Sequence, residues 1–312
     1  MNRFITTIKN IWKIEELRSR ILTTLGLVLI FRIGSFIVLP GVIPDKLVGA
    51  SGAGSGVLGL IDIFSGGAFS RASIFALGIM PYISASIIMQ LLGMAVPTIQ
   101  KMQKEGESGR KKINQWTRFL TIGITLLQAP GYIKAYINSE AIVSNTFGWV
   151  VMSVIIMVAS TLFIMWLGEK ITDKGIGNGI SLLITVGILA RLPEAFMAEF
   201  SFSYAQGNLL KIVLEIFAFM VVVLGTVLIV QGVRKVPLNT AKRIAGKRAV
   251  EDHGARNYLP IKVNASGVMP IIFAQAIMTV PIMIFSGGDG GGFMAQVFGD
   301  IYGFGYNLVL AI

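Results

Sequence analysis

The 312-residue sequence contains no cysteine and a single histidine, His253. Without thiols there is neither a disulfide framework nor a thiolate metal site. One imidazole excludes paired-histidine metal chemistry and most acid–base dyads. Charge is scarce as well: 14% of residues are charged and 54% are hydrophobic, whereas a soluble domain keeps about a quarter of its residues charged to face water. A chain this apolar takes a bilayer as its solvent. No catalytic set stands out, since there is no metal-ligand cluster, no serine with an available histidine and no carboxylate pair within an apolar run. The sequence therefore reads as a membrane protein without a cofactor, not as an enzyme.

What the sequence has in abundance is long apolar runs. Runs of about twenty residues read as spanning helices, and they fall at Ile21–Leu39, Ser73–Val96, Trp116–Ile133, Gly148–Gly168, Ile176–Ala195, Leu209–Gln231 and Asn264–Phe285. An eighth begins near Phe304. The first twenty residues read as a cytoplasmic amphipathic helix and not as a cleavable signal. Basic residues test this map. With the N-terminus inside, the cytoplasmic side holds five Lys and Arg before the first span, six in 101–118, two in 170–174 and eight in 234–262. The other side holds Lys46, Arg71, Lys134, Arg191 and Lys211, and Arg32 lies within the first span. A bias of this size is what the positive-inside rule expects of seven complete spans with none missed. The runs are apolar all round, which excludes the alternating pattern of a β-barrel.

Four local features carry functional content. The stretch Val57–Gly67 is apolar enough to enter a membrane and too short to cross it. It reads either as a re-entrant segment beside a cavity, where irregular backbone is tolerated, or as an amphipathic helix on the outer membrane surface. Ile79, Ile83 and Ile87 are four apart and form one helical stripe. Ser84, Ser86 and Gln90 lie nearby, either as a water-facing polar strip or as ordinary helix-packing glue. The glycines Gly175, Gly177 and Gly179 lie between two spans, not in a βαβ unit, so they make a tight hairpin and not a nucleotide loop. Finally, the long loop Arg234–Lys262 carries the pairs Arg234-Lys235, Lys242-Arg243 and Lys247-Arg248. Contact with anionic lipid accounts for them at about 1 kcal/mol each; a loop of this length also favours partner docking. Arg32 within a span is costly and calls for a partner, such as a carboxylate, or for snorkelling.

Taken together, the runs Phe31–Phe36, Phe64–Ile87, Lys104–Arg110, Trp166–Glu169, Gly175–Ser181 and Leu259–Asn264 closely resemble the bacterial SecY family, in the family's order and over essentially the whole chain. The resemblance implies an all-α polytopic membrane bundle of ten spans in two inverted five-span halves, with seven complete spans and the start of an eighth present here and three spans to follow. It divides the chain into an N-terminus 1–20, a first half 21–208 with a plug at 57–67, and a partial second half 209–312 with a docking loop at 232–263. It implies a protein-conducting channel of the bacterial inner membrane, N-terminus cytoplasmic. The implied plug residues are Leu58, Ile61, Ile63 and Phe64, the pore ring Ile79, Ile83, Ile184 and Ile272, and the lateral gate Ser84, Ser86, Gln90 and Gln275. The implied docking residues are Arg234, Lys235, Lys242, Arg243, Lys247 and Arg248. The implied partners are SecE, SecG, the motor SecA, the ribosome with its nascent chains and ribosomal RNA, signal peptides and anionic lipids. The alternative, a secondary transporter with broken helices, requires an intramembrane ion site, and no span centre holds an acidic residue.

Overall fold

A computed structural model describes residues 12–47, 62–137, 139–143, 146–207, 209–237 and 258–264. In chain order the helices are α1 (Glu15–Gly34), α2 (Met80–Ala95), α3 (Pro97–Lys104), α4 (Glu107–Tyr136), α5 (Phe147–Lys174), α6 (Gly179–Ala205) and α7 (Leu209–Gln231), followed by strands β1 (Val233–Pro237) and β2 (Tyr258–Lys262). By length and composition, α5, α6 and α7 can each cross a membrane, and the bent pair α2–α3 makes a fourth candidate. The described residues form two compact units, one ending at Ala195 and the other starting at Phe196.

In the first unit the helices begin and end where local chemistry requires, which shifts several of the expected spans. Helix α1 starts before Ile21 and ends at Gly34, so residues 35–39 are not helical. Gly34 packs against the Phe75 ring, where any Cβ would collide with it. The second span was expected from Ser73, yet α2 begins only at Met80, with Pro81 in its first turn. Residues 65–78 are a succession of turns instead. Ala72, at φ 46°, and the glycines Gly66, Gly67 and Gly78 occupy the left-handed region that turns demand. At the other end, Pro97 follows a break at Val96, and α3 is bent by 102° from α2. Helix α4 runs well beyond Trp116–Ile133, and its Thr117, Thr121 and Thr125 hydroxyls each donate to the carbonyl four residues back. Helix α5 likewise extends past Gly168 to Lys174.

Two buried clusters hold this unit together. Phe69, Tyr132 and Tyr136 meet edge-on and stacked at centroid distances of 4.4–5.7 Å, packed with Leu39, Ala76 and Met157. The Tyr132 hydroxyl donates to the Phe69 carbonyl at 2.8 Å, which satisfies a backbone group within the turns. The second cluster joins Phe31, Phe75 and Ile79 to Ile164, Leu167, Ile171 and Leu183. Most of residues 62–79 are buried in the unit, while Ile63 is exposed.

The glycine hairpin between α5 and α6 is a capping device. Gly177 takes φ 70°, and the Asn178 Oδ1 accepts from the N–H groups of Ile180 and Ser181 at 3.1 and 3.2 Å. These are orphan donors of the α6 N-terminus. The Thr24 hydroxyl on α1 accepts from Ile176 N–H at 3.1 Å and ties the hairpin to the first helix. Asn178→Ala is expected to lower stability by about 1 kcal/mol, read as a fall in the thermal midpoint of the protein in detergent; an unchanged midpoint would remove the cap from the account.

In the second unit, the Lys211 ammonium lies between Glu199 (2.9 Å) and Glu215 (3.3 Å). After α7, β1 and β2 form an antiparallel ribbon within the stretch 234–262 that the sequence predicts as loop, with Arg234 opposite Ile261 and Lys235 opposite Pro260. Prolines occupy both strands. A two-stranded ribbon has only edges, so the missing N–H groups cost no ladder bond on an outer side.

Candidate functional site: buried turns against three isoleucines

The turns of residues 62–79 deliver side chains to one small region. Phe64 and Ser65, with Leu77, Gly78, Ile79, Met80 and Ile83 from the start of α2 and Ile184 from α6, line a cavity of about 20 Å3. Ile79 sits at the N-cap of α2 and its carbonyl accepts from Ile83 N–H at 3.1 Å, so the two are one helical turn apart on the same face. Ile184 arrives from a distant part of the sequence, one turn into α6. The three isoleucines expected to act together are therefore neighbours, and Phe64 closes against them. Ile63 is exposed to the other side of its helical turn. Leu58, Ile61 and Ile272 lie outside the described residues.

Several polar atoms around this cavity have partners, while Arg71 Nη1 and Arg191 Nε are buried without a hydrogen bond among the described residues. The Ser65 hydroxyl donates to the Asp62 carbonyl at 3.0 Å and accepts from Phe69 N–H at 3.1 Å. Arg32, whose expected partner was a carboxylate, instead donates through Nη1 to the Gly66 carbonyl at 3.0 Å. Its guanidinium and that of Arg71 lie over the Phe36 ring at 4.7 and 4.4 Å, a cation–π arrangement that offsets part of the desolvation cost. The carboxylate in this region belongs to Asp62, 3% exposed, which pairs with Arg191 of α6 at 2.6 Å and accepts from Ser70 N–H at 2.8 Å. Neither residue was singled out in the sequence. The available signal was one acidic residue inside the otherwise apolar stretch 57–64.

Close backbone approach makes the packing possible. A Cβ on Gly187 would come within 2.6 Å of the Phe64 carbonyl oxygen, and a Cβ on Gly66 within 3.1 Å of the Gly187 backbone. The two glycines let the irregular segment lie directly on α6.

Of the residues assigned to a lateral gate, Ser84 is buried, Ser86 half-buried and Gln90 exposed. Ser86 and Gln90, four residues apart, share a face of α2, whereas Ser84, two residues before Ser86, lies on another. Gln275 lies outside the described residues. Arg234 and Lys235 are exposed on β1; Lys242, Arg243, Lys247 and Arg248 lie outside the described residues.

The apolar helices define a polytopic helical membrane protein. The SecY family model matches residues 73–312, and the chain belongs to the SecY family. It is 41% identical over 289 residues to the protein translocase subunit SecY of Thermotoga maritima, covering 89% of this chain and 66% of that one. It is 42% identical over 292 residues to the protein translocase subunit SecY of Escherichia coli K12, covering 90% and 65%. The chain thus spans slightly less than two thirds of these relatives' length. Among solved structures, one described as a protein conducting channel matches with TM-score 0.59 at 21% identity, over 86% of this chain and 58% of that one. Sec61 in the canine ribosome-channel complex from the endoplasmic reticulum matches with TM-score 0.61 at 20% identity, over 86% and 59%. At these identities the likeness is one of fold.

Proposed function

We propose that this chain is the central part of a protein-conducting channel of the bacterial inner membrane, used for export and for membrane-protein insertion. One observation carries the reading: Phe64 of the re-entrant segment and Ile79, Ile83 and Ile184 of two helices line the same apolar gap of about 20 Å3. A collar of aliphatic side chains excludes ions by dewetting, yet its side chains can part around a peptide. In this reading Ile79, Ile83, Ile184 and Ile272 form the ring, and residues 57–67 are the plug. The N-terminus lies in the cytoplasm, as the distribution of basic residues supports.

The remaining roles follow the same reading. Ser84, Ser86, Gln90 and Gln275 would face a lateral exit for signal peptides. The ribbon β1–β2 would act as the stem of a basic loop that docks the ribosome, including its RNA, and SecA, while SecE and SecG complete the membrane complex. A secondary transporter would need a coupling-ion site; among the described residues the buried carboxylate, that of Asp62, is already paired with Arg191.

The test uses the absence of cysteine. Single cysteines replace Ile83 or Phe64 in the chain extended to its relatives' full length, and a stalled secretory precursor carrying one cysteine is trapped in the membrane. Disulfide crosslinks at Ile83 are expected. A well-inserted channel that gives none at Ile83 would sink the reading and restore the transporter.

A further inference from the structure

We propose that Asp62 and Arg191 are the positioning residues of the seal: a single ion pair clasps the re-entrant segment to helix α6 and sets how often that segment leaves the ring. The inference rests on the reading of residues 57–67 as a plug.

The geometry of the pair is that of an organising contact. Asp62 uses both carboxylate oxygens, one toward Arg191 Nη1 at 2.6 Å and the other accepting from Ser70 N–H at 2.8 Å. Its backbone carbonyl accepts from Gly67 N–H at 2.9 Å and from the Ser65 hydroxyl at 3.0 Å. One residue therefore closes the turn 62–70 on itself and joins it to α6. Arg191 reinforces the junction with a longer contact from Nη2 to the Ser70 hydroxyl at 3.4 Å. Between Gly66 and Gly187 the contact is backbone against backbone, which supplies closeness but little attraction. From α1, Arg32 contributes one hydrogen bond to the Gly66 carbonyl.

Burial decides the weight of the pair. Exposed ion pairs contribute little, because water screens both partners. Here the Asp62 side chain is 5% exposed and that of Arg191 32%, so removing either partner strands the other in a poorly hydrated site. Arg71 adds to this: a Cβ on Gly67 would lie 2.7 Å from Arg71 Nη2 and 3.1 Å from Arg191 Nε, so these two guanidiniums flank the same glycine. The Asp62 carboxylate also offsets their mutual repulsion. Neutralising it loses an attraction and exposes a repulsion together.

The experiment reads the position of the segment separately from transport. A single cysteine replaces Ala68, which is 1% exposed, in the full-length protein reconstituted in vesicles, and its rate of labelling by a membrane-permeant maleimide is measured. A second reporter replaces Ala85, 0% exposed on α2 and outside both buried clusters that hold the segment. Asp62→Asn and Arg191→Met are each expected to raise Ala68-site labelling about tenfold, a factor equal to about 1.4 kcal/mol, with the Ala85 site unchanged. Arg191→Lys keeps the charge and is expected to stay near the parent rate. Parent-rate labelling in both Asp62→Asn and Arg191→Met overturns the clasp. So does equal acceleration at the Ala85 site, which would mean general loosening, or a lysine variant that behaves like the methionine one. Ion conductance is recorded alongside: faster labelling without leak leaves the clasp standing and overturns the channel reading instead.

Discussion

Gly187→Ala is expected to make the protein leak while leaving helix α6 at least as stable as before. Glycine inside a helix costs roughly 0.5–1 kcal/mol relative to alanine, so the substitution alone favours the helix. The new methyl, however, would sit 2.6 Å from the Phe64 carbonyl oxygen. That oxygen belongs to backbone, and it can yield only if the whole turn from Asp62 to Gly67 moves off α6. Overpacking of this kind costs on the order of 1–3 kcal/mol, and it falls only on the state in which the segment is docked. The docked population should therefore drop by about tenfold or more. Conductance of the reconstituted full-length protein checks the first half of the expectation, and thermal melting in detergent checks the second. Leak with an undiminished melting temperature is the predicted pair of results. A tight channel with the alanine in place would mean that the segment does not rest on Gly187.

Phe69→Ala should act in the opposite way, on the fold instead of the seal. Phe69 is 1% exposed and makes edge contacts with both Tyr132 and Tyr136. Removing its ring deletes apolar burial and leaves a cavity that α4 and the turns can fill only in part, for a loss of about 3–5 kcal/mol. Tyr132→Phe provides the scale: it removes the donor to the Phe69 carbonyl and keeps the ring, for about 1 kcal/mol. Denaturation of both variants in the same detergent gives the comparison. If Phe69→Ala costs no more than Tyr132→Phe, the aromatic cluster is not what anchors the base of the re-entrant segment.

The contrast between these residues shows what a sequence makes visible. Ile79 and Ile83 were legible because helical spacing places them on one face, where Ile79 is buried and Ile83 half-buried. Arg32 was legible as an anomaly, a charge in an apolar run, but its partner was not. A backbone carbonyl in a turn carries no signature, and the Gly66 carbonyl accepts only because the chain comes back to α1 there. Asp62 and Arg191 are separated by 129 positions, so only the folded chain pairs them. The start of α2 was misplaced because buried turns and buried helix are equally apolar; residues 73–79 look like span and are turns. The ribbon β1–β2 escaped notice because five-residue strands bordered by basic residues have too short a pattern to separate from loop. Membership of the SecY family was legible through long ordered runs. The glycine contact that lets the segment dock was not, since neither Gly66 nor Gly187 differs in sequence from any other glycine.

The gap between Phe64 and the isoleucines bears on protons as well as on ions. Protons cross proteins along files of hydrogen-bonded water, each molecule handing one on to the next. A void of about 20 Å3 has room for roughly one water, which needs two to four polar partners to stay. The walls offer aliphatic and aromatic carbon, and the one hydroxyl there, on Ser65, is spent on Asp62 and Phe69. On the plug reading, the described lining gives a water wire no foothold at this point, so a membrane that stores energy as a proton gradient would be sealed there.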